Sequence, residues 1–100
     1  MTLDTQKFPK PRRKRDPKYL AYVRRQGCLC CKNYAEAHHL EHGGVGTKGS
    51  DYVTAPLCWR HHRELHDIGH AAFEVKHGLD LYRIAAELLE KYFANPLEQE

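Results

Sequence analysis

The sequence predicts a small α+β domain, two short strands with helices around them, and three features lead to that expectation. Segments 35–40 and 52–57 have strand character and lie on either side of a connection with glycine at 43, 44, 46 and 49. Leu81, Ile84, Ala85, Leu88, Leu89, Tyr92 and Phe93 recur at the spacing of one helix face. Between these lies a crowd of metal-ligating side chains: Cys28-x-x-Cys31, His38-His39, and Cys58-x-x-His61-His62-x-x-x-His66.

In chain order, residues 1–15 have little apolar content and two prolines, and read as a flexible basic arm. The domain is expected over 16–95, with a short tail at 96–100. Asp16-Pro17 matches a helix N-cap followed by proline at the first helical position, and Gly27 is placed to end that helix after about Gln26. Tyr19, Leu20 and Val23 share one face of it. Cys28 to Lys32 reads as the tight turn of a metal knuckle. Ala35 to Leu40 can lead as a strand into His38-His39. Four glycines then exclude a helix, and Tyr52 to Leu57 reads as the return strand, with Pro56 confining it to a sheet edge or strand end. Helical character resumes from Trp59 to Asp67 and again from Ala71 to His77, stopped by Gly78. The last helix spans 80–94 with Asp80 as its cap, and its apolar stripe reads as core packing.

Size and charge bound the function. A chain of 100 residues buries a modest core and is often stapled by a metal or disulfide. Mean hydropathy is −0.75, and no apolar run approaches the roughly 18 residues that cross a membrane. The basic N-terminus has no apolar segment of a secretory signal, so a cytoplasmic location is expected. Cys28, Cys30 and Cys31 are too bunched to pair conveniently, which favours zinc over two disulfides.

Residues 1–32 carry ten Lys/Arg against Asp4 and Asp16, a balance of +8; residues 33–100 carry six against eleven acids, a balance of −5. The densest stretch is Lys10-Pro11-Arg12-Arg13-Lys14-Arg15. Such an arm gains affinity for phosphates by releasing counterions, without reading sequence; the alternative is a solvated tail. Beside a metal site, phosphate binding by Arg12, Arg13, Lys14 and Arg15, helped by Arg24, Arg25, Arg60 and Arg63, is the expectation.

Helix geometry divides the ligands. His62 and His66 are one turn apart and can reach one cation. Cys58 and His61 occupy a neighbouring face, and with Cys28 and Cys31 complete a Cys3His tetrahedron of the closed, structural kind. Cys58 paired with His62 instead would strand His61, because position 65 is leucine. Cys30 is left over, with exchange for Cys28 or Cys31 as the alternative. Adjacent strand residues point to opposite sides, so one imidazole of His38-His39 can join His62 and His66 while the other stays free as a base. A metal there would neutralise a scissile phosphate and stabilise the leaving 3′ oxygen. His42, His70 and His77 read as surface residues.

The pair His38-His39, the glycine loop and Pro56-Leu57-Cys58-x-x-His61-His62 together resemble the HNH, or ββα-metal, endonucleases. Ala37-His38-His39-Leu40 and Pro56 to His66 are most similar to small phage and prophage members of that superfamily. The resemblance covers about residues 18–78. It implies a hairpin packed on a helix, His38 as metal ligand, His39 as general base, His62 as the motif's helix histidine and His66 as a further ligand. The middle asparagine of the motif is not evident: Val53 or Thr54 lies near its place, and Asp51 is the nearest polar side chain able to support the hairpin.

The resemblance therefore implies a DNA endonuclease with structural zinc and a catalytic Mg2+, Mn2+, Ni2+ or Zn2+; three imidazoles suit zinc, nickel or manganese, whereas magnesium prefers oxygen ligands. DNA is the implied partner, with phage or host recombination or packaging proteins beside it. Two other readings stand: a non-catalytic zinc-binding DNA module, which needs the second site empty or closed, and a phage accessory protein acting through an exposed stripe on the last helix.

Overall fold

The computed structural model describes residues 14–41, 49–95 and 97. Among these, four helices and a two-stranded sheet follow in the order α1 (Pro17–Arg25), β1 (Glu36–His39), β2 (Thr54–Leu57), α2 (Trp59–Ile68), α3 (His70–His77) and α4 (Leu81–Ala94). The arm through residue 13, His42, the glycines at 43, 44 and 46, and the tail apart from Leu97 lie outside the described residues.

Helix α1 starts as the sequence predicts. The Asp16 carboxylate accepts the Tyr19 N–H at 3.1 Å, and Pro17 takes the position where a missing N–H costs nothing. Gly27, at φ +80, turns the chain into the cysteine knuckle, and a Cβ there would meet the Lys32 carbonyl oxygen at 2.9 Å. The knuckle is closed by Lys32 N–H on Cys28 O at 2.8 Å and Cys28 N–H on Asn33 O at 2.9 Å.

The strands pair antiparallel in the register Glu36↔Leu57, Ala37↔Pro56, His38↔Ala55 and His39↔Thr54. The return strand is shorter than the predicted 52–57. Ser50 bonds forward to Val53 and Tyr52, holding Ser50–Val53 in a turn and sending the Tyr52 ring toward α1 and α4. Pro56 sits where no ladder N–H is required, and its carbonyl accepts Leu29 N–H at 3.0 Å, fastening the knuckle to the sheet.

Two apolar clusters hold the layers together. Leu57, Leu65, Phe73, Leu81 and Ala85 pack beneath the hairpin with Cys28 and Cys58; Tyr19, Tyr22, Val23 and Tyr92 join α1 to α4. Each large side chain buried this way contributes about 1.5–3 kcal/mol, which fixes the otherwise short α1 and α3. Helix α4 buries Leu81, Ala85 and Tyr92, but Phe93, expected on the same face, is exposed. At about 100° per residue Phe93 lies roughly 120° around the helix from Leu81, at the rim, where its ring meets Tyr52 and Tyr92 edge-on. No helix among the described residues is long and apolar enough to cross a membrane.

Candidate metal centres

Cys28 from the knuckle, Cys31 one turn further on, Cys58 at the N-cap of α2 and His61 in its first turn bring their ligand atoms within 4.8 Å of one another. Sulfur–metal bonds of about 2.3 Å and nitrogen–metal bonds of about 2.0–2.1 Å at tetrahedral angles place sulfurs about 3.8 Å apart and sulfur about 3.5 Å from nitrogen. The separations are 3.7 Å for Cys31 Sγ–Cys58 Sγ, 3.5 Å for Cys28 Sγ–His61 Nδ1 and 3.1 Å for Cys58 Sγ–His61 Nδ1. The donor set therefore fits a metal such as zinc, and Cys58 faces His61 rather than His62. Burial raises the Cys28 thiol, but backbone donors at Cys58, Cys30 and Cys31 outweigh it and bring the group down to about 6, toward the thiolate that a metal requires. Cys30 is pushed up to about 12 by burial and by its cysteine neighbours, and its sulfur does not fall in the group of four.

A second group lies where the hairpin meets α2. His38 projects from β1 with its Nδ1 2.9 Å from His62 Nε2, and His66 one turn along α2 completes a trio whose ligand atoms all fall within 4.8 Å. His62 Nδ1–H donates to Glu36 Oε1 at 3.1 Å, which leaves Nε2 as the lone-pair atom directed at His38. Burial, then the neighbouring imidazoles of His62, His66 and His70, push His38 down to about 3. A neutral imidazole is the form that ligates.

The next residue points the other way. His39 Nε2–H donates to Asp51 Oδ1 at 2.7 Å, with only 10% of the His39 side chain exposed. A carboxylate accepts and does not donate, so His39 Nδ1 holds the lone pair. Asp51 is itself fixed by the Asp16 N–H, which donates to its Oδ2 at 2.8 Å, and its backbone N–H donates to Lys14 O at 2.9 Å. The carboxylate thus ties the return loop to the start of α1, and Lys14 lies against the same loop. Thr54, one of the two residues near the missing asparagine, donates its hydroxyl to Asp51 O at 3.0 Å.

Three residues, Glu36, His70 and His77, join these groups without having been expected there. Glu36 orients His62, but a lone carboxylate three residues before the strand end carries no signal in the sequence. His70 and His77, expected on the surface, are partly buried. His70 lies near His38, ring centres 6.3 Å apart, with its Nε2 buried and without a hydrogen-bond partner among the described residues. His77 donates from Nε2 to Glu64 at 2.6 Å and packs at a tilt against Phe73, and Lys76 pairs with the same carboxylate. Cys30, His61 and His77 form a further, weaker candidate ligand set sharing His61 with the first. The reason for both inward turns is α3, which packs back on the core through Phe73.

The basic residues divide. Arg12 and Arg13 lie outside the described residues, and Lys14, Arg15, Arg24 and Arg25 are exposed around α1. Arg60 and Arg63 are exposed on α2, and Arg63 shares a groove of about 270 Å³ with Glu36, Trp59, His62 and His66.

A family model described as "Protein of unknown function (DUF968)" matches residues 5–94. The Uncharacterized protein YdfU of Escherichia coli (strain K12) is 46% identical over 79 residues, which cover 75% of this chain and 22% of YdfU. The chain thus spans about a fifth of the length of that relative. No solved structure matches the chain.

Proposed function

The chain belongs to the family described as Protein of unknown function (DUF968), and from the donor geometry at its hairpin and α2 we propose that it is a metal-dependent DNA endonuclease of the HNH type. One observation carries this reading: adjacent residues of β1 separate their roles, His38 joining the trio with His62 and His66 while His39 is held apart by Asp51. A purely structural metal site has no use for a second, separately oriented imidazole on the next strand residue.

His38, His62 and His66 would hold the catalytic metal, and the groove that His62 and His66 share with Arg63 leaves its approach open. The cation, when bound, supplies the positive charge that neutralises the scissile phosphate and the leaving 3′ oxygen. His39 Nδ1 takes the proton from the attacking water, and Asp51 stabilises the imidazolium that results. Glu36 keeps His62 in its ligating tautomer. Arg60 and Arg63 hold phosphates flanking the cleaved one, and the arm rooted at Lys14 adds sequence-independent affinity. Cys28, Cys31, Cys58 and His61 would hold structural zinc, locking the knuckle to the start of α2 and so fixing His62 one residue later.

A second reading, the non-catalytic zinc-binding DNA module, draws on His70. Its Nε2 is buried, unpartnered among the described residues and close to His38. As a fourth imidazole it would close the shell and leave no position for water. Protein holding zinc at the cysteine site alone, supplied with Mg2+, Mn2+, Ni2+ or further Zn2+ and tested on plasmid DNA, decides between them. The nuclease reading expects cleavage that returns with metal and is lost in His62→Ala. The module reading expects DNA binding and no cleavage in wild type, with cleavage appearing in His70→Ala.

A further inference from the structure

We propose that the groove centred on Trp59 receives an unpaired nucleobase next to the scissile phosphate, so that the substrate is DNA with a single-stranded or frayed segment at the cut. The inference rests on the reading of His38, His62 and His66 as the hydrolytic site, and it adds what lies beside that site.

Trp59, the first residue of α2, is 64% exposed, and Tyr34, just before β1, is 81% exposed. Neither ring serves the core. Between them lies a groove of about 280 Å³ that also involves Asn33, Glu36 and Arg60. On its other side Trp59 borders the groove of about 270 Å³ that reaches His62 and His66. Trp59 and Glu36 belong to both, so a strand whose phosphate sits at the histidine trio passes the indole with its neighbouring nucleotide.

The groove suits a base better than a phosphate. The half between Trp59 and Tyr34 presents two ring faces beside the Glu36 carboxylate and no histidine, whereas Arg60 and Arg63 are exposed along the α2 side, with the Arg63 guanidinium 6.0 Å from the Trp59 ring centre. Aromatic faces flanked by guanidinium groups are the combination that binds single strands, the rings stacking on bases and the cations following the backbone. In an intact duplex each base face is covered by its neighbours, so the aromatic rings gain contact only where a base is unstacked. Cys58, which precedes Trp59, is fixed by its own ligand set, so the indole is presented from a rigid helix start.

Trp59 is the only tryptophan in the chain, which makes its fluorescence a direct readout. The zinc-loaded chain, without added activating metal, is titrated with a short single-stranded oligothymidylate, an abasic strand of the same length, and a duplex of the same length. The proposal expects quenching of wild type by the oligothymidylate and little by the other two. Binding of a dye-labelled oligothymidylate, followed by its anisotropy because the Trp59 variants lack the fluorophore, is expected to be roughly 10-fold weaker in Trp59→Ala and Tyr34→Ala, with Trp59→Phe recovering part of it. Zinc content of each variant, measured alongside, verifies the fold. Equal affinity for all three probes, or a Trp59→Ala variant that binds the single strand as tightly as wild type, overturns the proposal. Quenching by the single strand in a protein that never cleaves DNA removes the nuclease reading and leaves the base groove standing. Duplex cleavage undiminished in Trp59→Ala overturns the base groove and leaves the nuclease.

Discussion

His39 and Asp51 meet across 2.7 Å, Nε2–H on Oδ1, and the other oxygen of that carboxylate receives the Asp16 N–H at 2.8 Å. One buried side chain therefore fixes both the tautomer of an imidazole on β1 and the approach of α1 to the hairpin. Because the Asp16 donor is a backbone amide, it must always face an acceptor. That constraint dictates what a substitution at 51 does.

In Asp51→Asn the amide oxygen is claimed by the Asp16 N–H, and the amide nitrogen must face His39. The imidazole then has to accept at Nε2 and carry its proton at Nδ1, the wrong tautomer for a base. Cleavage is expected to fall on the order of 10²-fold or more, with zinc content unchanged. Asp51→Ala in addition leaves the Asp16 N–H unsatisfied, costing about 1–3 kcal/mol, read as a lowered urea midpoint. An Asn variant with wild-type turnover would show that Asp51 plays no part in orienting the base.

The cysteines separate cleanly. Cys30→Ser is expected to retain one tightly held zinc per chain, because Cys31 Sγ lies 3.7 Å from Cys58 Sγ and Cys30 belongs to a different group. Cys31→Ser is expected to lose it, and with it the cooperative thermal transition, since a structural site contributes directly to folding. Zinc analysis of the two purified variants checks this; loss in Cys30→Ser would move Cys30 into the ligand set.

Much of this arrangement is legible in the sequence where the physics is local. Asp16-Pro17, Gly27, Gly78 and the Asp80 cap mark helix ends through their own backbone preferences, and all four ends fall within a residue or two of expectation. The pairs Cys28/Cys31 and Cys58/His61 are legible for the same reason: turn and helix geometry bring each pair into reach, and the Leu29 N–H on Pro56 O then joins the two pairs. What the sequence hides depends on packing between distant elements. His70 and His77 read as surface residues because nothing local reveals that Phe73 draws α3 onto the core. Glu36 meets His62 only once the hairpin lies on α2. Phe93 was placed on the buried face by a spacing rule too loose to register its offset from Leu81.

Glu36 acts on the metal through His62. Glu36→Ala is expected to weaken divalent-metal binding at the histidine trio by about 10–100-fold and to leave the cysteine-site zinc in place. Calorimetric titration of Ni2+ or Mn2+ into the zinc-loaded protein measures it. Unchanged affinity would mean that α2 alone holds His62 in position.

His38 links stability to pH. Its folded-state value, about 3, lies below the ordinary 6.5 of the free imidazole. Between those values the unfolded chain binds a proton that the folded chain refuses. Without metal at the histidine trio, the stability contribution of the neutral imidazole is complete above about pH 6.5 and declines as the pH falls toward 3. Comparing denaturant midpoints of wild type and His38→Gln across that range isolates the group. The wild-type curve is expected to fall more steeply, and parallel curves would contradict the assignment.

The central claim, that His39 is the base of a hydrolytic metal site, is tested most directly by supercoiled-plasmid cleavage with wild type and His39→Ala, each zinc-loaded and supplied with a saturating divalent metal. Metal-dependent cleavage by wild type that falls on the order of 10²-fold or more in the variant, with zinc content and melting behaviour preserved, is the predicted result. Equal cleavage by both proteins, or none by wild type under any metal, would contradict it.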